Sequence, residues 1–145
     1  MKILVRPALA TDITAIFAIR TAVKENPLSL EQLTEMGITP DAILEMLVIP
    51  DCIWVAEVNE IAAGFAIADK EEGSIFALFV LPEYEGLGLG GQLMDHAEAA
   101  LFQQYTQIWL ETDSQSRAAV FYQRRGWEAA EPLTGTDKRY LKKRP

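Results

Sequence analysis

Apolar positions change period several times along the chain. In "ATDITAIFAIRTAVKEN", Ile13, Ile16, Phe17, Arg20 and Val23 recur near helical spacing, and Thr11 or Asp12 is placed to cap the helix. Pro27 blocks its continuation. "ENPLSLEQLTEMGITP" is polar and broken, and reads as a loop or a short helix. "TPDAILEMLV" starts a helix, with Thr39 as N-cap and Pro40 in the first helical position. The pattern then alternates. "CIWVAEV" and "IAAGFAIAD", joined by Asn59-Glu60, read as a hairpin. "SIFALFV" is a further strand, ended by Pro82.

A glycine-rich stretch, "EYEGLGLGGQLM", follows. It opens a helix near residues 89–103, with Leu89, Leu93, Met94, Ala97 and Leu101 on one face. "QIWLETD" reads as a strand. "SRAAVFYQRRG" reads as a helix, with Ser114 or Ser116 near its cap and Gly126 past its end. "WEAAE" and "DKRYLKK" read as closing strands. This order predicts one α/β domain over residues 1–145, with a mostly antiparallel sheet and one βαβ-like crossover. The crossover carries the glycines.

Two ligands fit the letters of the glycine stretch. Gly86, Gly88 and Gly91 match the G-x-G-x-x-G dinucleotide motif, and Glu111 stands 20 residues beyond Gly91, where a ribose-binding acid belongs. Context opposes this reading. In a dinucleotide turn the first glycine comes almost directly off the strand, whereas "LPEYE" separates Val80 from Gly86 here. The preceding strands also pair as hairpins rather than βαβ units.

The second ligand is coenzyme A. "LFVLPEYEGLGLGGQLMDHAE" and "QSRAAVFYQRRGW" together resemble the GNAT acetyltransferase superfamily. The first resembles a strand end, a proline, a short polar stretch and then Arg/Gln-x-x-Gly-x-Gly/Ala, with Gly88 and Gly90 on the glycine positions. The second resembles Asn-x-x-Ala-x-x-Phe/Leu-Tyr-x-x-x-Gly-Phe, with Ala118, Phe121, Tyr122, Gly126 and Trp127 in register. The opening "VRPALATDITAI" is similar to the usual family start.

The resemblance implies an α/β (α+β) fold: a mixed, mostly antiparallel twisted sheet of about six to seven strands, flanked by about four helices. It implies an N-acetyltransferase that moves an acetyl group from acetyl-CoA directly to a primary amine. Amides around Gly86, Leu87, Gly88, Leu89, Gly90 and Gly91 would hold the pyrophosphate, since glycines admit close backbone approach and a helix N-terminus favours anions. Backbone groups of Leu78 and Val80 would bind the pantetheine arm, and Tyr122 would be the general acid. The family's carboxylate on the strand before the loop is missing from "SIFALFV", so Glu111 and Glu57 are the substitute bases. Two positions depart from the family. Glu85 replaces Arg/Gln, and Gln115 replaces the Asn that contacts the arm. With the missing strand carboxylate, they keep a second reading open, a non-catalytic protein that binds or senses acyl-CoA.

Charge refines this picture. The net charge of −8 argues against nucleic acid or an anionic membrane surface as partner. Residues 1–113 hold 5 Lys or Arg against 18 Asp or Glu, and residues 114–145 hold 8 against 3. A basic end suits a polyanionic ligand, and the acidic part suits a cationic amine; the resemblance implies that Arg117 lies near the nucleotide end of coenzyme A. The acceptor would be a small-molecule or peptide amine. No metal site is expected from the spacing of His, Cys, Asp and Glu. The single cysteine, Cys52, is expected to be a buried small hydrophobe. With no signal-peptide pattern, the expected compartment is the cytoplasm. The aromatic-basic end "DKRYLKKRP" is compatible with a homodimer.

Overall fold

A computed structural model describes residues 1–24 and 26–145; Glu25, in the polar segment before Pro27, lies outside the described residues. The chain begins with strand β1 (Ile3–Pro7) and helices α1 (Ile13–Ala22), α2 (Leu30–Glu35) and α3 (Pro40–Leu47). Strands β2 (Ile53–Val58), β3 (Ile61–Asp69) and β4 (Ser74–Val80) follow. Helix α4 (Leu89–Phe102), strand β5 (Gln107–Asp113), helix α5 (Arg117–Arg124) and strands β6 (Glu128–Pro132) and β7 (Asp137–Lys143) complete it. The seven strands form one sheet in the order β1-β2-β3-β4-β5-β7-β6. Only β4 and β5 run parallel. α4 joins them, so the glycine segment sits at the parallel crossover.

The predicted hairpin turn forms at Asn59-Glu60, where both residues have positive φ (49° and 70°). Such a turn matches the twist of the flanking strands. Counting α2, the described residues form five α-helices, where the sequence suggested about four. Ser29 Oγ accepts from Gln32 N (3.1 Å), and Ser29 N donates to Gln32 Oε1 (2.9 Å). This reciprocal box stabilises a six-residue helix that is too short to hold alone. Thr39 caps α3 through Ala42 N, and Ser116 rather than Ser114 caps α5 through Ala119 N. Neither Thr11 nor Asp12 supplies a side-chain cap to α1. The Asp12 carboxylate instead accepts from Leu9 N and from two nitrogens of Arg6 (2.8 and 2.9 Å). Arg6 holds that carboxyl below its ordinary value.

The sheet has a core on each face. α4 and α5 cover one face, where Leu89, Leu93, Met94, Ala97 and Leu101 pack on Trp54, Ala66, Ile108 and Tyr140. α1, α2 and α3 cover the other, where Ile16, Phe17, Leu33 and Ile43 pack on Val55, Phe65 and Ile67. Cys52 is buried in this second core, where desolvation raises its thiol above the ordinary value. No helix among the described residues is long and apolar enough to cross a membrane.

Candidate functional site: the gap between β4 and β5

β4 and β5 part almost as soon as they meet. Their one register pair is Ser74 with Trp109. The cause lies on the other side of β4. Ile67 pairs with Ala77 and Ala68 with Ile75, so Phe76 is an extra residue in the strand. A bulge of this kind bends the strand that carries it. Beyond it Ala77, Leu78, Phe79 and Val80 are only half-buried, although β4 is the central strand of the sheet. Leu81 N donates to Ala63 O of β3 (2.8 Å). By the two-residue alternation of a strand, the N–H and C=O of Val80 and Leu78 turn the opposite way, into the gap.

The loop beyond β4 presents free amides. Gly86 and Gly88 have φ of 81° and 82°, a backbone region that costs other residues strain. A side chain at either would meet only open space, so it is the backbone angle that requires glycine there. Gly88 is the N-cap of α4 and contributes no side-chain cap; the first loop-to-helix bond is Gln92 N to Gly88 O. No backbone N–H of residues 86–91 donates a hydrogen bond. Gly86, Leu87, Gly88, Leu89, Gly90 and Gly91 thus offer consecutive donors at the positive end of a 14-residue helix.

α5 carries Tyr122. The ring is 7% exposed and packs edge-on against Phe121 and Trp127, at 5.3 and 6.1 Å between centroids. Its hydroxyl makes no hydrogen bond. Yet the only sealed, unpartnered side-chain nitrogen or oxygen among the described residues is Arg139 Nε, so the hydroxyl must touch accessible space. Tyr122 shares a cluster with Leu78, Val80 and Leu87. Burial pushes its hydroxyl well above the ordinary value, and the charge of Glu98 adds to this.

Glu98 is a residue the sequence reading passed over. It is 6% exposed on α4 and accepts from Trp127 Nε1 (3.1 Å), Arg125 Nε (3.1 Å) and Lys142 Nζ (2.6 Å). It therefore ties α4 to α5 and β7, and fixes Tyr122 relative to the glycine loop. A carboxylate among the apolar positions of α4 was the available signal. Its partners stand 27, 29 and 44 residues away, beyond the reach of local pattern.

The remaining candidates lie around the gap or away from it. Glu85 is exposed and 3.3 Å from Arg117 at the start of α5, so the carboxylate beside the glycine loop has a cationic partner. Gln115 is exposed in the turn before α5, where its N–H donates to Asp113 Oδ1. Glu111 lies on β5, past the point where the strands part. Arg139 on the neighbouring strand pairs with it at 2.9 Å, and the same guanidinium lies 4.0 Å over the Trp109 ring. Glu57 is on β2, two strands away from β4, and pairs with Arg6 at 2.6 Å. Among the described residues, no group of three or more His, Cys, Asp and Glu is arranged to hold a metal ion.

On the opposite face, a cavity of about 330 Å³ opens between α1–α3 and strands β3 and β4. Its wall includes Phe17, Leu33, Ile43, Phe65 and Phe79. Among the described residues, Arg20 is the one charged residue in that wall.

The family described as acetyltransferase (GNAT) domain matches residues 50–129. An uncharacterised N-acetyltransferase of Archaeoglobus fulgidus is 37% identical over 84 residues. That match covers 50% of this chain and 56% of the relative, so the chain spans little more than half of its length. The PaiA N-acetyltransferase of Thermoplasma acidophilum, solved in complex with coenzyme A, superposes with a TM-score of 0.81 at 19% identity, covering 99% of this chain and 100% of that one. Arabidopsis thaliana Naa50, solved with the bisubstrate analogue CoA-Ac-MVNAL, gives 0.74 at 17% identity, covering 99% and 100%. These two structures share the fold.

Proposed function

The chain belongs to the GNAT acetyltransferase family, and from that premise we propose that it transfers an acetyl group from acetyl-CoA to a primary amine. The observation that carries this reading is the gap itself. The edge of β4 borders it, a row of unbonded amides at residues 86–91 follows β4, and Tyr122, with its unpartnered hydroxyl, packs in the same core cluster as Leu78 and Val80. Two structural neighbours were solved with coenzyme A or a coenzyme A conjugate. The residues here fit such a ligand: the amides are free, and the space over Gly86 and Gly88 is open.

Acetyl-CoA supplies the activated thioester. The chain's own groups do the rest. Amides of residues 86–91 hold the pyrophosphate, with Gln115 and Arg117 at the mouth. Backbone groups of Leu78 and Val80 hold the arm as an added strand and orient the carbonyl. The Tyr122 hydroxyl stays protonated at neutral pH and gives its hydrogen bond, then its proton, to the departing sulfur. The incoming ammonium first loses a proton to water held by a carboxylate; the neutral amine then forms the C–N bond to the thioester carbonyl as the C–S bond breaks, and Tyr122 regains its proton from solvent. Glu111 is the better placed of the two candidates, because it stands on the strand that borders the gap, whereas β3 separates Glu57 from β4.

The test is incubation with acetyl-CoA and a panel of primary amines, read by mass spectrometry of the products, beside thermal unfolding with acetyl-CoA and with NAD. Acetylated amine and stabilisation by acetyl-CoA alone are expected. Stabilisation by NAD alone would return the glycine loop to the dinucleotide reading.

A further inference from the structure

Arg20 is 8% exposed and has no carboxylate partner among the described residues. Burial pulls its guanidinium below the ordinary value, with nothing acting in the other direction. A buried charge without an opposite charge is costly, so its surroundings deserve an account.

Two of its surfaces are spoken for. The guanidinium carbon lies 4.2 Å from the centroid of the Phe79 ring, which occupies one face of the plane. Nη1 donates to Asn26 O at 3.1 Å. Asn26 itself has φ of 53°, in the left-handed region. Nε and Nη2 make no hydrogen bond, and neither is sealed from accessible space. These two nitrogens form one edge of the guanidinium, the edge that grips a carboxylate with two parallel bonds. Arg20 lines the cavity of about 330 Å³, whose other walls are largely apolar.

We propose that this cavity is the acceptor site, and that its acceptor is a small apolar amino acid whose carboxylate pairs with the Nε–Nη2 edge of Arg20. The proposal rests on the acetyl-transfer reading above and supplies its substrate class. Three features favour it. A single positive charge selects one carboxylate and disfavours a polyamine. The apolar walls suit a hydrocarbon side chain. Phe79 stacks on Arg20 and lies between Leu78 and Val80, whose backbone faces the gap, so the bound amine would lie one strand face from the acyl group.

Leucine, methionine and phenylalanine, each beside its C-terminal amide, test this as acceptors for the wild-type chain and for Arg20→Met. The methionine keeps an apolar stem against Phe79 and removes the donors. At least one acid should exceed its amide in kcat/KM by about 10- to 100-fold, as for loss of a charge-assisted pair. Arg20→Met should erase that preference, leave the amides within about threefold, and retain the thermal shift with acetyl-CoA. Equal use of every acid and its amide would overturn the proposal, as would a preference that survives Arg20→Met. If no amine is acetylated, the transfer reading has failed but the carboxylate site is still testable. Calorimetry with the three acids and with their N-acetyl forms should then show binding that Arg20→Met abolishes. Absence of binding, or equal binding to both proteins, would overturn it.

Discussion

On the α4 face of the sheet, the candidate ligand groups are backbone amides and one uncharged hydroxyl. On the α1–α3 face, they are a single guanidinium in an apolar chamber. The first set depends on backbone angles, because Gly86 and Gly88 hold φ values that free the amides. The second depends on side-chain packing, because Phe79 and Asn26 O leave one edge of Arg20 uncovered. A site made of amides survives most side-chain substitutions around it. A site made of one side chain can be removed by a single substitution.

The largest expected effect strikes the α4 face. Glu98→Ala would leave the half-buried Lys142 and the buried Trp127 N–H without their acceptor, and Arg125 with Asp95 and the Gly91 carbonyl only. Removing one partner of a buried charge network costs about 3–5 kcal/mol, measurable by urea unfolding. A loss as small as that of an exposed ion pair would mean α4 and α5 are not held by this carboxylate.

Gly88→Val comes next. Forcing a β-branched residue into a left-handed angle costs about 1–3 kcal/mol, or moves the loop and scatters its amides. The thermal shift with acetyl-CoA should vanish, while amino-acid binding on the far face should persist. Loss of both would show that the faces do not act separately.

A pH titration probes the brace between β1 and α1. Arg6 holds Asp12 below the ordinary carboxylate value. The stability Asp12 contributes is complete above its unfolded value of about 3.9, and is lost as pH falls through the lower folded value. Asp12→Asn should be about 1–3 kcal/mol less stable at neutral pH and should show a shallower acid limb. An unchanged acid limb would remove Asp12 from the brace.

The smallest effect is at Arg117, which is 72% exposed on its side chain. Arg117→Ala should raise the acetyl-CoA KM by about threefold, in the range of exposed charge contacts. No change would remove Arg117 from the cofactor mouth.

What could be read in advance follows the same division. Glycine spacing reports a backbone requirement residue by residue, so the loop and the start of α4 were visible as letters. So was the register of the Tyr122 helix. The bulge at Phe76 was not, because "SIFALFV" reads as an unbroken strand and the extra residue shows only against β3. The box that holds α2 was present as Ser29 and Gln32, three positions apart, but the polar composition around it left a loop and a short helix equally open. Asp12 looked like a cap, and became a partner of Arg6 because β1 brings that guanidinium within reach. Arg20 stood plainly on the apolar stripe of α1. Its significance depends on what is missing around it, and only the packed structure supplies that.

The most direct measurement is amine-dependent thiol release from acetyl-CoA by the wild-type chain and by Tyr122→Phe, with acetyl-CoA thermal shifts taken on both. The Tyr122 hydroxyl makes no hydrogen bond in the fold, so its removal should leave stability and acetyl-CoA binding nearly unchanged. The predicted result is a fall in kcat of about 100-fold, the scale of a lost general acid. Thiol release that continues undiminished in Tyr122→Phe, or acetyl-CoA binding with no amine-dependent release in the wild type, would contradict acetyl transfer at this gap.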